Sequence, residues 1–164
     1  MNPDDFFIKE SIKGRAVFAG KDIKTGEIIL EFLGEKYTKE EYLNLHDPHN
    51  NHFLQVDDEL FLGPSGNADD LINHSCSPNC GIKYERSKIL LVAIKNISLG
   101  EELTFDYSTT MDDDPWQMTC CCGEETCRKI IRDFRLLKKE EQEKYISLGV
   151  VPPFILKKLA NERR

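Results

Sequence analysis

The apolar residues of this chain fall in short runs broken by glycine-containing turns. GRAVFAG (residues 14–20), EIILEFLGE (27–35), HFLQVDDELFLG (52–63), KILLVAIKN (88–96) and ELTFDY (102–107) are rich in branched and aromatic residues, and each is read as strand. KTG before Glu27 and SLG before Glu101 supply turns, since a glycine at the end of each permits positive φ. TKEEYLNL (38–45) departs from this pattern. Thr38 stands where a helix cap belongs and Glu41 follows three places on, so a short helix is predicted. Beyond residue 137 the periodicity turns helical. KKEEQEKYISLG (138–149) pairs opposite charges at helical spacing and stops at a glycine, and PPFILKKLANERR (152–164) opens a second helix with proline. The pattern predicts a mostly β domain with short helices and a helical carboxy-terminal tail.

Length fits one domain with its own core plus a tail, because 164 residues is few for two ordinary domains. No apolar run approaches the roughly 18 residues of a membrane span, so no membrane partner is expected. The start, MNPDDFFIKE, carries acid where an export signal carries base, which points to an intracellular site of work, cytoplasmic or nuclear. Charge is unevenly placed. Residues 1–127 hold 11 Lys/Arg against 24 Asp/Glu, a net −13, whereas 128–164 hold 11 against 5, a net +6. An acidic body repels a nucleic-acid backbone and favours a basic partner, so no direct nucleic-acid binding is expected. Solubility alone accounts for the charge equally well, and the basic tail could instead pack on the acidic body.

Six cysteines add candidate chemistry. Cys120, Cys121, Cys122 and Cys127 cluster in TCCCGEETCRK, while Cys76 and Cys80 stand in LINHSCSPNC. Alternate residues Cys120 and Cys122 can converge on one point, whereas adjacent Cys121 points away, and Gly123 permits the tight turn that follows. With Cys127 this gives a C-x-C-x4-C set of three thiolates. A tetrahedral structural zinc needs a fourth, from Cys76 or Cys80. Disulfides are the competing account, disfavoured by a reducing compartment and by the poor closure of a C-x-C bridge.

Four ordered pieces over residues 8–134 then carry a resemblance: KGRAVFAGKDIKTGEIILEFLGE, GNADDLINHSCSPNC, GEELTFDY and C-x-C-x4-C. In order and spacing the chain resembles the SET-domain protein-lysine methyltransferases with a zinc-binding post-SET segment. The resemblance implies a β-clip-like fold of small curved sheets, with the 73–76 and 105–107 segments brought together in a knot-like threading. It implies a SET domain over 1–110, a post-SET segment over 111–134 and a helical extension over 135–164. It further implies S-adenosylmethionine as cofactor, held by Lys13, Gly14, Arg15, Asn73, His74 and Tyr107. Zinc would be held by Cys76, Cys120, Cys122 and Cys127, leaving Cys80 and Cys121 as non-ligands. Tyr107 takes the family's catalytic tyrosine position, and Phe105 the position that sets how many methyl groups are added. Phenylalanine there leaves room for two or three. The substrate implied is a lysine in a basic protein or peptide, histone or not.

Several positions depart from the family pattern. Ala16 replaces the second glycine of the cofactor loop, Asp70 stands where arginine is usual, Leu71 replaces an aromatic, and His52 aligns with a channel tyrosine. Asp70 reverses a charge, so a contact made by arginine cannot be made in the same way. These departures admit a competing reading, a zinc-stabilised interaction module that kept the fold and lost catalysis. His46, His49 and His52 could form a second metal site, but Pro48 and the neighbouring Asn residues favour a loop of solvated histidines. The acids of VDDEL and MDDDPW could guide a lysine-rich substrate, although solvated loop acid is slightly favoured, and Trp116 could help close the site, although a lone tryptophan is more often a packing anchor.

Overall fold

In the computed structural model, which describes residues 5–12, 14–45, 52–112 and 116–162, strands β1 (Phe6–Ser11) and β2 (Gly14–Ala19) form an antiparallel hairpin. β3 (Ile28–Glu31) follows as a shorter strand than EIILEFLGE suggests, because the run splits and β4 (Lys36–Thr38) joins a different sheet. α1 (Lys39–Leu45) carries the expected cap. The Thr38 N–H donates to Glu41 Oε2 at 2.7 Å, and the Glu41 N–H donates back to Thr38 Oγ1 at 3.3 Å. HFLQVDDELFLG becomes two strands, β5 (Leu54–Asp57) and β6 (Leu60–Leu62), turning at Asp58 and Glu59. His46, His49 and Lys13 lie outside the described residues.

The middle of the chain is built around β7 (Asn73–His74), β8 (Cys80–Glu85), β9 (Lys88–Ala93) and β10 (Thr104–Phe105). β9 lies between β3 and β8, and β6 between β4 and β5, in two small antiparallel sheets. β7 and β10 pair in parallel through two residues each, Asn73 with Thr104 and His74 with Phe105. The expected meeting of the 73–76 and 105–107 segments is therefore present. Downstream, β11 (Gln117–Thr119) pairs with β12 (Ile130–Arg132), and α2 (Lys139–Ser147) and α3 (Pro153–Glu162) follow.

The continuous apolar run of β9 has a specific cause. Leu91 and Ala93 face the main core with Val17, Ile29, Ile82 and Leu103, while Leu90 and Val92 face Phe134, Tyr145, Val150 and Phe154. A strand buried on both faces needs no polar alternation. The second cover comes from α2, α3 and the segments around them, so the tail is part of the fold's packing. Lys158 of α3 reaches Asp58 at 2.7 Å and Asp112 at 2.8 Å, joining basic tail to acidic body.

The tail comes close to the sheet at Gly81, which pairs with Val92. A Cβ there would stand 2.5 Å from Val150 Cγ1 and 2.8 Å from Val150 Cβ, a distance that forces movement. Gly81→Ala is therefore expected to destabilise the protein by about 1–3 kcal/mol. Adding Val150→Ala should recover part of the loss, so that the double variant melts higher than the two separate losses predict, as a cycle of thermal unfolding curves would show.

Candidate active site and thiol cluster

The β7–β10 junction gathers most of the residues singled out from sequence. The Ser75 N–H continues the pairing by donating to the Phe105 carbonyl at 3.1 Å. On the other side of β10, the Asn79 side chain acts as a substitute strand. Its Oδ1 accepts from the Thr104 N–H at 2.9 Å and its Nδ2 donates to the Glu102 carbonyl at 2.8 Å. Asn79 had no assigned role in the sequence, although its place in SPNC was the available signal. Asn73 Nδ2 donates to Glu102 Oε1 at 2.9 Å, fixing the amide orientation.

Tyr107 follows β10 in a short 3₁₀ turn, and its hydroxyl donates to the Ile72 carbonyl at 2.8 Å. Burial, with Glu102 adding repulsion, pushes its ionisation well above the ordinary tyrosine range, so it is a neutral phenol at physiological pH. Its ring lies 4.8 Å from that of Phe105, which in turn makes an edge contact with Phe32 at 5.9 Å. These rings wall a largely apolar cavity of about 110 Å³ together with Ile72 and Trp116. A volume this far below the roughly 300–1,000 Å³ of small-molecule pockets suits a single side chain. Gly14 begins β2 at φ +95° with open space where a Cβ would stand, and β2 runs beside the 68–71 turn. Backbone is thus available there for close approach by a ligand. Arg15 is exposed and Ala16 is fully buried.

Beside this junction the thiols converge. All six cysteines are free. His74 and the thiols of Cys76, Cys120 and Cys122 present donor atoms within 4.8 Å of one another, and Cys127 packs against them with its thiol 3.9 Å from the Cys120 carbonyl. The Cys76 and Cys120 sulfurs are 3.7 Å apart. Two ligands on a tetrahedral zinc, at about 2.3 Å each, stand about 3.8 Å apart, so the spacing fits a metal. Five donors exceed four places. The Tyr107 N–H donates to His74 Nδ1 at 3.2 Å, which leaves the ring proton on Nε2, 3.3 Å from Cys76 Sγ. The histidine then donates toward the Cys76 sulfur, with Asp106 Oδ1 3.6 Å from its other nitrogen. Burial pushes the Cys76 thiol up to about 11. Burial also opposes ionisation at Cys122, but hydrogen bonds involving Cys76, Glu124, Cys120 and Cys127 outweigh it and bring that thiol to about 7. Cys80 lies in the main core and Cys121 is exposed, both apart from this cluster. Trp116 packs against the cluster and also lines the cavity, joining the two.

Acids that the sequence left open find partners within the chain. Asp70 lines the cavity, but its carboxylate is engaged by backbone. Its carboxylate accepts from the Ser65 N–H at 3.0 Å and the Gly66 N–H at 2.7 Å, capping the turn before the INHSC segment, while its carbonyl accepts from His52 Nδ1 at 3.0 Å. Within VDDEL and MDDDPW, Asp58 and Asp112 are engaged by Lys158, because the tail's positive charge is covalently at hand. Asp113 and Asp114 lie outside the described residues. Asp70→Ala should lose about 1–3 kcal/mol by leaving two N–H groups without an acceptor, and Asp70→Asn should lose less; denaturant unfolding measures both.

Comparison with known proteins accords with this geometry. A family model described as "SET domain" matches residues 14–108. Histone-lysine N-methyltransferase trithorax of Drosophila virilis is 33% identical over 138 residues, covering 75% of this chain and 3% of that protein. The chain thus spans a small fraction of the curated relative's length. The crystal structure of the methyltransferase domain of human histone-lysine N-methyltransferase SETMAR superposes with a TM-score of 0.67 at 25% identity, covering 78% of this chain and 58% of that one. KRYPTONITE in complex with mCHH DNA, H3(1-15) peptide and SAH gives 0.61 at 26% identity, covering 77% and 29%. With more than half of its length matched by the family model and its strands arranged as in these structures, the chain belongs to the SET-domain family.

Proposed function

We propose that the chain is a protein-lysine N-methyltransferase that moves a methyl group from S-adenosylmethionine to a lysine amine of a basic protein. The observation that carries this reading is the Tyr107 hydroxyl, anchored on the Ile72 carbonyl at the wall of an apolar cavity sized for one side chain. A neighbour of the same fold is complexed with SAH and a histone peptide, which supports both ligands here. S-adenosylmethionine supplies a methyl group already activated on a sulfonium. The chain's work is then to position and to exclude water. Apolar walls at Phe32, Phe105 and Ile72 disfavour the ammonium form of an entering lysine and so favour its nucleophilic free amine, while Asp69 and Asp70 on the same lining are engaged by Leu33, Ser65 and Gly66. Tyr107 orients that amine in line with the methyl, where fixed geometry removes much of the entropic barrier.

The cofactor is assigned to Lys13, Gly14, Arg15, Asn73, His74 and Tyr107, supported by the exposed glycine backbone at Gly14 and the fixed Asn73 amide. Zinc is assigned to Cys76, Cys120, Cys122 and Cys127. In this scheme His74 spans both centres, receiving the Tyr107 N–H on one nitrogen and facing the Cys76 sulfur with the other. Work inside the cell follows, since such thiols need a reducing compartment. No described helix is long and apolar enough to cross a membrane. The expectation of no nucleic-acid partner gains no support, because a neighbour is complexed with DNA. The reading of an inactive interaction module rested on Asp70 and Ala16. Asp70 has a local capping role and Ala16 is buried within β2, so each has an account in the fold that needs no loss of catalysis.

Isothermal calorimetry tests the cofactor first. Micromolar binding of S-adenosylmethionine that weakens at least tenfold in Asn73→Ala is expected, and absence of binding in folded, zinc-loaded protein sinks the reading. Tyr107→Phe should retain that binding while losing most methyl transfer to histone peptides, by roughly 100-fold or more. Mass spectrometry of the products should show di- or trimethyllysine, given phenylalanine at 105; monomethyllysine alone under forcing conditions would contradict the role of Phe105. Cys122→Ser should abolish zinc binding by elemental analysis.

A further inference from the structure

Asp106 lies between Phe105 and Tyr107. Neighbours on an extended segment face opposite sides, so while its two flanking rings line the cavity, the Asp106 side chain is fully buried on the other side. A carboxylate so placed must be neutralised and hydrogen-bonded. Arg128, immediately after Cys127, meets it with both prongs of the guanidinium, NH2 to Oδ1 at 2.6 Å and NH1 to Oδ2 at 2.7 Å. The Ser108 N–H donates to Oδ1 at 3.1 Å, and the Tyr145 hydroxyl of α2 donates to Oδ2 at 2.9 Å. Arg128 is itself held from two directions. Its backbone N–H donates to Cys76 Sγ at 3.4 Å, and its NH1 reaches Glu141 of α2 at 3.4 Å.

We propose that Tyr145 and Arg128 are positioning residues for methyl transfer, through which helix α2 and the thiol cluster jointly fix the backbone that carries Tyr107. The inference rests on the methyltransferase reading for its kinetic consequence, but not for its structural one. Tyr145 approaches neither the cavity nor the thiols and acts through Asp106 alone. Loss of its hydroxyl leaves the Tyr145 ring in the apolar cover of β9, while Asp106 loses its hydrogen bond from α2. Small displacement of a positioned catalytic group is costly for rate and cheap for binding.

The test is Tyr145→Phe, with exposed Lys139→Ala as control, in full-length zinc-loaded protein. Single-turnover transfer to a histone peptide should fall roughly tenfold in Tyr145→Phe, with peptide KM, S-adenosylmethionine affinity and zinc content within about twofold of the wild type. The same proteins labelled with fluorotyrosine give a second readout, the Tyr107 resonance being assigned as the one missing from Tyr107→Phe. That resonance should shift in Tyr145→Phe and stay in place in Lys139→Ala. An unchanged rate in an active protein, or a fall that appears in KM alone, overturns the proposal. If the wild type transfers no methyl group the methyltransferase reading fails, and an unmoved Tyr107 resonance then overturns the positioning role on its own. Should Tyr145→Phe not fold, Arg128→Lys, which cannot make the two-pronged contact, is read by the same two measurements, and a Tyr107 resonance and rate like the wild type's overturn the proposal.

Discussion

Parallel pairing of Asn73 with Thr104 and of His74 with Phe105 joins segments far apart in sequence, and every feature of the site depends on it. Two rungs are too few to hold strands together against loop-closure entropy, since each hydrogen bond contributes only about 0.5–1.5 kcal/mol net. Side chains supply the missing ladder. Asn79 pairs with the far side of β10, and the His74 ring accepts the Tyr107 N–H that follows it. This explains why polar residues crowd LINHSCSPNC: several act as substitutes for backbone. The thiols then continue the same structure from the Cys76 end.

The tail answers a second constraint. β9 is apolar on both faces, so the sheet it centres needs two covers, and the first 127 residues bury only one of them against the main core. Phe134, Tyr145, Val150, Phe154 and Ile155 furnish the other. The charge asymmetry serves the same docking, because Lys158 is placed between Asp58 and Asp112. Arg128 and Arg135 meet acids of the body in the same way, at Asp106 and Asp112.

Much of the architecture was legible because local signals agreed with tertiary demands. The Thr38–Glu41 cap, the glycine ending α2, and the apolar runs of β2 and β9 all appear where the patterns place them. β8 escaped notice because Gly81 interrupts its run, and the reason for that glycine, Val150 from the tail, is non-local. The same limit explains Asp70. Its meaning as a cap depends on the return of Ser65 and Gly66, which neither charge nor family pattern reveals. Convergence of Cys120 and Cys122 was readable from spacing, but the hydrogen bond that His74 accepts from the Tyr107 N–H is non-local and had no signal in the sequence.

The buried pair of Asp106 and Arg128 is best understood through specificity. Desolvating both charges costs several kcal/mol, and apolar replacements of equal size often match such pairs in stability. Stability alone therefore gives little reason for a carboxylate between Phe105 and Tyr107. An apolar side chain at 106 could settle in several nearby positions, because packing is tolerant in direction, whereas a two-pronged guanidinium contact accepts one arrangement. The arginine is also adjacent to Cys127 and bonded to Cys76 through its backbone, so that arrangement is defined relative to the thiol cluster. The buried charge thus converts assembly of the cysteine segment into a fixed orientation for the residues on either side of it.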